Sequence, residues 1–219
     1  MELTTFLFPR MKNFVNNKRI PYLEHKDSPW SILDDNNQYS LSKQIKQLDN
    51  NGINSKYRNI SLDQTKGQIV IHSSAIIDDY VRIEGPAFIG KNTHIRHSAY
   101  IRSGTWISDN CVIGHCSEVK NSLFLPDSKA PHFNYVGDSI LGFRVNLGAG
   151  TKISNVRNDK REILITNQYG NKINTKLKKF GALIGDCVEI GCNTVTNPGT
   201  IISPKTSIIP NSTLKGWNE

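Results

Sequence analysis

The stretch IHSSAIIDDYVRIEGPAFIGKNTHIRHSAYIRSGTWISDNCVIGHCSEV, residues 71–119, carries an aliphatic residue at every sixth position. These positions are Ile71, Ile77, Ile83, Ile89, Ile95, Ile101, Ile107, Ile113 and Val119, and Leu125 continues the series. A period of six fits neither an α-helix, which repeats every ~3.6 residues, nor an alternating strand. It is typical of a parallel β-helix, in which each hexapeptide forms one short strand and one corner of a coil.

A second periodic set supports the same interpretation. Small or β-branched residues follow the first eight aliphatic positions by four: Ala75, Val81, Ala87, Thr93, Ala99, Thr105, Cys111 and Ser117. The aliphatic period also returns further along the chain, at Leu141, Leu147, Ile153, Ile184, Ile190, Thr196, Ile202 and Ile208. We therefore predict an all-β fold built as a parallel β-helix over residues 69–219.

Two segments interrupt the period, residues 126–136 and 155–183, and we expect both to be loops expelled from the coil. Solenoids bury their strands and carry variation in such loops, which makes them candidate functional segments. In the second interruption, strand-like EILIT and KINTK flank a turn, which predicts a protruding β-hairpin. Its basic residues fit either a solvated hairpin or a phosphate-contacting arm: Arg157, Lys160, Arg161, Lys172, Lys176, Lys178 and Lys179.

Residues 1–68 lack the six-residue period. Leu41, Ile45 and Leu48 share one face of a predicted helix that ends near Asn50-Asn51-Gly52. We expect this N-terminal helical and irregular segment to pack against or cap the first coil, because solenoids need caps for solubility.

The composition of the 219 residues narrows the partners. A net charge of +8 suggests anionic partners. The sequence shows no nucleic-acid-binding motif, so we favour phosphorylated small molecules over nucleic acid. The first residues, MELTTFLFPRMK, form neither a secretory signal nor a membrane span, so we expect a cytoplasmic protein with no membrane partner.

The cysteines and histidines do not form a metal motif. Four cysteines form two pairs with a spacing of five: Cys111, Cys116, Cys187 and Cys192. This is neither a redox nor a zinc-ribbon spacing, so we expect reduced packing residues. No H-x-x-x-x-H pair occurs, and we expect that no metal is required. We assign structural roles to His72, His94, His97 and His115.

The stretch SEVKNSLFLPDSKAPHFNYVGDSILGFRVNLGAGTKISN, residues 117–155, resembles the acetyltransferase domain of bifunctional glucosamine-1-phosphate acetyltransferase/N-acetylglucosamine-1-phosphate uridylyltransferases. That family carries E-x-K, S-K-A-x-H-x-x-Y-x-G-D and N-x-G-A-G-T at this spacing. The resemblance covers roughly residues 70–215. The later KKFGALIGDCVEIGCNTVTNPGT and the early HKDSPWSILDDN are more similar to archaeal-type sugar-phosphate nucleotidylyltransferase/amino-sugar-phosphate acetyltransferases. The resemblance implies a left-handed, three-sided coil and a homotrimer.

A glycine-rich G-x-G-T-x-M-x-x-x-x-P-K nucleotide-binding motif does not occur in the sequence. We therefore expect no nucleotidyltransferase domain and no uridylyltransferase activity, and a separate nucleotidyltransferase is a candidate partner. The resemblance implies a place in UDP-N-acetylglucosamine synthesis for the cell envelope.

Moving an acetyl group from a thioester to a sugar amine requires a base near the amine, and histidine is the natural candidate at neutral pH. His132 meets that need, and the resemblance gives it the same role. The resemblance also implies that Arg102, Lys120 and Tyr135 bind the phosphate and that Glu118 orients or tunes His132. The sugar-contacting residues that it implies are Asn146 and Asn155.

Residues for the oxyanion and the cofactor follow from the same resemblance. The turn at residues 147–151 has little side-chain bulk, and the Ala149 N–H would stabilise the oxyanion. Acetyl-CoA would lie near Gly191, Cys192 and Pro210. Two residues depart from the bacterial pattern, because Cys192 stands in place of serine and Val156 in place of tyrosine.

We therefore predict an acetyl-CoA-dependent N-acetyltransferase acting on an amino-sugar phosphate, with glucosamine-1-phosphate as the preferred acceptor. One alternative acceptor is galactosamine-1-phosphate and another is a nucleotide-linked amino sugar. A third alternative is a non-catalytic β-helix that serves as a regulatory subunit.

Overall fold

The computed structural model of the chain describes residues 2–14, 20–23, 27–49, 57 and 59–219. Within these residues the chain winds into a coil with three sides, and each side is a parallel sheet of eight, eight or seven strands. The predicted left-handed parallel β-helix is confirmed. The coil begins at the strand Ser61–Asp63, which pairs with Arg82–Glu84, and so starts before the predicted boundary at residue 69.

The three sheets are defined by their strands in chain order. Sheet 1 contains Ser61–Asp63, Arg82–Glu84, Tyr100–Ile101, Glu118–Lys120, Tyr135–Gly137, Lys152–Ile153, Val195–Thr196 and Thr213–Leu214. Sheet 2 contains Ile69–Ile71, Ala87–Ile89, Thr105–Ile107, Leu123–Phe124, Ile140–Leu141, Ala182–Ile184, Thr200–Ile202 and Trp217–Asn218. Sheet 3 contains Ile76–Ile77, His94–Ile95, Val112–His115, Lys129–His132, Asn146–Leu147, Glu189–Ile190 and Ser207–Ile208.

The two periodic sets fill the inside of the coil, as predicted. Ile83, Ile101 and Ile113 are fully buried, and the small residues four positions later, such as Ala87 and Thr105, are fully buried at the corners. Many corners place a residue at positive φ, and asparagine is frequent there: Asn92, Asn110, Asn193 and Asn211. Asparagine tolerates this left-handed backbone better than most residues, which explains its repeated use at the corners.

The aliphatic period contains one-residue slips that the sequence did not reveal. Phe124, not Leu125, takes the inward position, because Phe124 pairs with Ile107 below it and Leu141 above it. Leu125 packs instead in a cluster outside the coil. The side from Val119 to Phe124 is thus five residues long, and the assignment of Leu125 to the inward series was wrong.

The expectation that residues 126–136 are expelled from the coil was also wrong. Lys129–His132 is a regular strand of sheet 3, in which Ala130 pairs with Ile113. After the slip at Phe124, the inward positions Ala130 and Val136 recur at six-residue intervals, and both are fully buried. The apparent interruption is therefore a continuous coil whose frame has shifted by one residue.

Gly114 allows its own strand, Val112–His115, to pack closely against the strand Lys129–His132, which contains Pro131. A Cβ at Gly114 would lie 1.5 Å from the carbonyl oxygen of Pro131. We expect Gly114→Ala to lower the free energy of unfolding by roughly 3 kcal/mol, because backbone must move to admit the methyl group. Gly170→Ala, where no atom lies within 4 Å but φ is +79°, should cost about 1 kcal/mol. Equal losses in chemical denaturation would contradict this account.

The N-terminal segment lies along the flank of sheet 2. Its helices are α-helical at Leu3–Leu7 and Leu41–Lys46 and 3₁₀ at Pro9–Phe14 and Pro29–Leu33. Its buried side chains pack on outward-facing residues of sheet 2 such as Trp106 and Leu183. At the first coil, Gln68 Nε2 donates to the Ile45 carbonyl at 2.7 Å. At a late coil, the Asp186 N–H donates to the Leu7 carbonyl at 2.9 Å, so the segment spans most of the length of the coil. It packs against the first coil, as expected, and also far beyond it.

The predicted helix end at Asn50–Gly52 lies outside the described residues. No helix within the described ranges is both long and apolar enough to cross a membrane.

The predicted hairpin is present as Leu164–Thr166 paired antiparallel with Lys172–Asn174. It is anchored on one side, because Ile163 and Ile165 are fully buried in the cluster on sheet 2. The tip extends into solvent, where Tyr169 is 78% exposed.

Asp186 ties the N-terminal segment to the coil and should give stability a pH dependence. Its carboxylate accepts the N–H groups of Phe143 at 2.9 Å and Arg10 at 3.3 Å. Burial raises the pKa of Asp186 to about 6, against a usual value of 3.8. The folded state therefore holds this proton more tightly than the unfolded chain, so the group's contribution to stability is largest below about pH 4 and is lost as the pH rises through 6.

We expect the stability of the wild type, relative to Asp186→Asn, to fall by roughly 1–3 kcal/mol between pH 4 and pH 7. Urea unfolding at several pH values measures this difference. Parallel curves for the two proteins would show that Asp186 titrates normally in the folded state.

Candidate active site

Four of the predicted catalytic and cofactor residues lie in one column along a corner of the coil. We call the corner where sheet 3 turns into sheet 1 the 3–1 corner. In sheet 3, Lys129 pairs with Asn146, Asn146 with Glu189, and Glu189 with Ser207, each on the next coil. The residue three positions after each of these four therefore occupies the same place on its own coil. These residues are His132, Ala149, Cys192 and Pro210.

Backbone hydrogen bonds connect the column. The carbonyl of His132 accepts the Gly150 N–H at 3.0 Å, that of Ala149 accepts the Asn193 N–H at 2.8 Å, and that of Cys192 accepts the Asn211 N–H at 2.8 Å. The regular stacking of the coil therefore places the candidate base, oxyanion donor and cofactor residues in succession.

His132 ends its sheet 3 strand and is exposed at the 3–1 corner. Its N–H donates to Asn134 Oδ1 at 3.0 Å, and Asn134 is 2% exposed and donates in turn to the Gly148 carbonyl at 2.8 Å. These bonds fix the backbone on either side of the imidazole without using the ring. The ring is thus free to meet a ligand at the surface.

The same column continues below His132 with two more histidines. His115 pairs directly with His132, and the rings of His97 and His115 stack with centroids 5.4 Å apart. Phe133 packs edge-on against His115 at 5.4 Å. The structural role assigned to His97 and His115 fits these contacts. In the parts of the chain that the structure describes, no three His, Cys, Asp or Glu side chains group as a metal site would need.

The turn at Ala149 leaves a backbone donor available. The Ala149 N–H has no acceptor among the described residues, whereas its carbonyl accepts from Asn193. A Cβ at Gly148 would lie 2.5 Å from the backbone nitrogen of Cys192, so only glycine allows the coils to approach this closely here. The exposed edge of this turn can therefore present an N–H group to an oxygen of a bound ligand.

The cysteines differ from one another in environment. All four are free thiols, as expected. Cys111 is a core residue, and burial raises the pKa of its thiol to about 12. Cys116 and Cys192 are exposed, so the prediction that all four are packing residues was wrong for these two. Gly191, beside Cys192, is in close contact with Pro210 of the next coil.

The predicted phosphate-binding cations lie on the outer face of sheet 1, and each is paired with a carboxylate. Arg102 Nη1 lies 2.9 Å from Glu118 Oε1, and both side chains are 36% exposed. Lys120 Nζ lies 3.0 and 3.1 Å from the two carboxylate oxygens of Asp138. Glu118 thus contacts a predicted phosphate ligand, and no hydrogen bond among the described residues joins it to His132.

Asp138 is the centre of a buried polar network that the sequence reasoning missed. Its side chain is 3% exposed and also accepts hydrogen bonds from Asn121 Nδ2 at 2.9 Å and from Asn155 Nδ2. Its place at the end of the S-K-A-x-H-x-x-Y-x-G-D motif was the available signal. Nothing in that pattern showed that Lys120 and Asn155 would converge on it.

Tyr135 completes this network at its open edge. It pairs with Glu118 in sheet 1, and its hydroxyl lies 3.4 Å from Asn155 Oδ1. Burial raises the pKa of Tyr135, and the nearby carboxylates of Glu118 and Asp138 act in the same direction. The phenol therefore stays protonated at neutral pH and can donate a hydrogen bond to a ligand oxygen.

Asn146 is the one predicted sugar ligand that the structure places apart from the others. It lies on sheet 3, between Lys129 and Glu189, whereas Asn155 belongs to the network on sheet 1. A single chain therefore does not bring Asn146 to the face that carries Lys120.

A cavity of about 380 Å³ opens at the corner where sheet 1 turns into sheet 2. Lys120, Asn121 and Asp138 form its floor, next to the network. The N-terminal segment and the root of the hairpin supply the remaining walls: Leu33, Asp34, Asp35, Ser42, Leu177 and Lys179, with Ser103 beside them. The width of sheet 1 separates this cavity from the 3–1 corner.

The chain was compared with known proteins. It is 36% identical over 187 residues to the bifunctional sugar-1-phosphate nucleotidylyltransferase/acetyltransferase of Sulfurisphaera tokodaii, a match of 85% of this chain and 44% of that protein. It is 36% identical over 172 residues to the bifunctional protein GlmU of Methanocaldococcus jannaschii, which covers 78% of this chain and 40% of that protein. The chain thus spans less than half the length of these two relatives.

A shorter relative is matched over most of its length. The chain is 33% identical over 164 residues to YaiX of Escherichia coli, described as an uncharacterized acetyltransferase, with coverage of 72% of this chain and 71% of that protein. The predicted resemblance to archaeal-type sugar-1-phosphate nucleotidylyltransferase/acetyltransferases is confirmed. The family model of the GMPPB C-terminal domain matches residues 83–211, more than half of the chain, and the chain belongs to that family.

Proposed function

We propose that this protein transfers the acetyl group of acetyl-CoA to the amine of an amino-sugar phosphate, with glucosamine-1-phosphate as the preferred acceptor. The observation that carries the proposal is the column at the 3–1 corner. There His132, the free Ala149 N–H and Cys192 follow one another on successive coils, next to the cation-bearing face of sheet 1. The acetyltransferases named among the relatives support the reaction class.

The proposed chemistry assigns each group one task. His132 accepts a proton from the acceptor amine, whose nitrogen then forms a bond to the thioester carbonyl carbon. The Ala149 N–H donates to the oxyanion that develops on the carbonyl oxygen. The carbon–sulfur bond breaks as the tetrahedral intermediate collapses, and the thiolate of coenzyme A takes up the second proton that the nitrogen loses, so that coenzyme A leaves as a thiol. The products are the N-acetylated sugar phosphate and free coenzyme A.

The acceptor phosphate would bind on sheet 1. Arg102, Lys120 and the Tyr135 hydroxyl supply charge and hydrogen-bond donors there. Arg102 is already paired with Glu118, and Lys120 with Asp138. The phosphate would therefore bind to cations that keep their carboxylate partners. The sugar then spans from this face to the 3–1 corner, with Asn155 beside its hydroxyl groups.

A homotrimer is part of the same proposal. The described residues of the N-terminal segment pack mainly on sheet 2, so sheets 1 and 3 would be the faces that meet neighbouring copies. A neighbouring copy could then supply Asn146 from its own sheet 3. Sedimentation equilibrium of the purified protein tests this, and a monomer with full activity would contradict it.

A thiol-release assay with acetyl-CoA tests the reaction. The acceptors are glucosamine-1-phosphate, galactosamine-1-phosphate, glucosamine-6-phosphate and UDP-glucosamine, offered in parallel. We expect the highest kcat/KM with glucosamine-1-phosphate. Thiol release with none of the four, from protein shown to be folded by circular dichroism, would support the non-catalytic alternative.

A further inference from the structure

The cavity beside Lys120 lies in the direction in which a larger acceptor would extend. With its amine at His132 and its phosphate at Lys120, an acceptor runs across sheet 1 from the 3–1 corner towards the opposite corner. A group attached to that phosphate would then lie beside the cavity, because Lys120 and Asp138 line it. A nucleotide-linked amino sugar would therefore place its second phosphate there.

Size alone does not exclude such a group. At about 380 Å³ the cavity is within the range of protein sites that hold ligands of nucleotide size. If the protein distinguishes a sugar phosphate from a nucleotide-linked sugar, the distinction has to come from the chemistry of the walls.

The walls carry more negative than positive charge. Asp138 neutralises Lys120 through two contacts of 3.0 and 3.1 Å. Lys179 is then the one remaining cation among the described lining residues, which also include the carboxylates Asp34 and Asp35.

The carboxylate wall is held in place by the fold. Asp34 Oδ1 accepts the N–H and the side-chain amide of Asn36 at 3.0 and 3.1 Å, which fixes its position. Asn121 Nδ2, which also contacts Asp138, donates to the Leu33 carbonyl at 2.9 Å. The carboxylates are thus tied through one residue to the network that would bind the phosphate.

We infer that Asp34 and Asp35 make the protein selective for sugar monophosphates by repelling the second phosphate of a nucleotide-linked amino sugar. The inference rests on the proposed acetyl transfer and deepens it by naming the acceptor class. Like-charge groups directed against an unwanted ligand are a general way to obtain specificity. The N-terminal segment, which lies outside the β-helix, would in this way set the acceptor preference of a site built on the coil.

The test compares two acceptors in wild type and in Asp34→Asn/Asp35→Asn. Asparagine keeps an oxygen acceptor for Asn36 and removes the charge. We expect kcat/KM for UDP-glucosamine, relative to glucosamine-1-phosphate, to rise at least about tenfold in the double variant, while the value for glucosamine-1-phosphate changes less than about threefold. Asp27→Asn is the matched control, since Asp27 lies in the same segment, is exposed and does not line the cavity.

Salt gives a second readout. Because ions screen charges near the surface, added NaCl should reduce the discrimination of the wild type and leave that of the double variant nearly unchanged. A ratio that stays constant or falls in the double variant would overturn the inference and leave the proposed acetyl transfer standing. If the wild type uses UDP-glucosamine as well as glucosamine-1-phosphate, the inference is also wrong. If it uses neither, the proposed function itself fails.

Discussion

His132→Ala should lower kcat for acetyl transfer to glucosamine-1-phosphate by roughly 10²- to 10⁴-fold, the usual contribution of a general base. The exposed ring makes no hydrogen bond or ring contact with another described side chain, and its strand is held by backbone pairing with His115 and Gly150. The melting temperature should therefore remain close to that of the wild type. Steady-state thiol release and thermal unfolding measure the two quantities.

His115→Ala is the matched control for this prediction. His115 occupies the equivalent position on the neighbouring coil, so the two variants make the same chemical change on the same corner. The loss of its ring contacts with His97 and Phe133 should affect stability modestly and leave kcat within about threefold of wild type. Similar losses of kcat in both variants would mean that the corner acts through its shape and that His132 is not the base.

Asp138→Ala should damage both stability and acceptor binding. It removes a carboxylate that is 3% exposed and leaves Lys120, Asn121 and Asn155 without their shared acceptor. We expect a loss of about 3 kcal/mol in the free energy of unfolding, as is typical when one member of a buried ion pair is deleted. The KM for glucosamine-1-phosphate should rise more than about tenfold, because Lys120 and Asn155 lose their orientation. The KM for acetyl-CoA should not change.

Asp186→Ala distinguishes a positioning role of Asp138 from a general loss of stability. Asp186 is equally buried and also accepts two hydrogen bonds, but it lies on the flank that holds the N-terminal segment. This variant should lose stability and keep the wild-type KM for both substrates. A raised KM in both variants, or in neither, would show that Asp138 does not position the acceptor.

The sequence was sufficient to predict the β-helix because its period is a direct consequence of the geometry of the coil. Each side must turn one aliphatic residue inward, and each corner must place a small residue where two sides meet. Ile83, Ile101 and Thr105 follow this rule and are completely buried. Since each hexapeptide carries the same requirement, a single residue out of place does not hide the pattern.

The error at residues 126–136 has a physical cause. A side of five residues can still close, as the sides from Val119 to Phe124 and from Val136 to Leu141 do. A strict six-residue count therefore loses the frame at Leu125 and misassigns the regular strand Lys129–His132 as a loop. The register of each strand is set by its pairing with the strands of the neighbouring coils. Counting residues along the sequence gives no information about that pairing.

The candidate site could be predicted only in part. The residues at the 3–1 corner lie near one another because the coil repeats at a regular distance, so the motif was informative. Asp138 and the cavity wall at Asp34 depend on contacts between distant segments, such as that of Asn121 with the Leu33 carbonyl. No local pattern in the sequence encodes those contacts.

The most direct test of the account is mass spectrometry of the acceptor after incubation with acetyl-CoA, glucosamine-1-phosphate and either wild type or His132→Ala. The account predicts N-acetylglucosamine-1-phosphate from the wild type, in amounts equal to the thiol released, and almost none from the variant in the same time. Thiol release without an acetylated sugar, or equal product from both proteins, would contradict acetyl transfer by a base at His132.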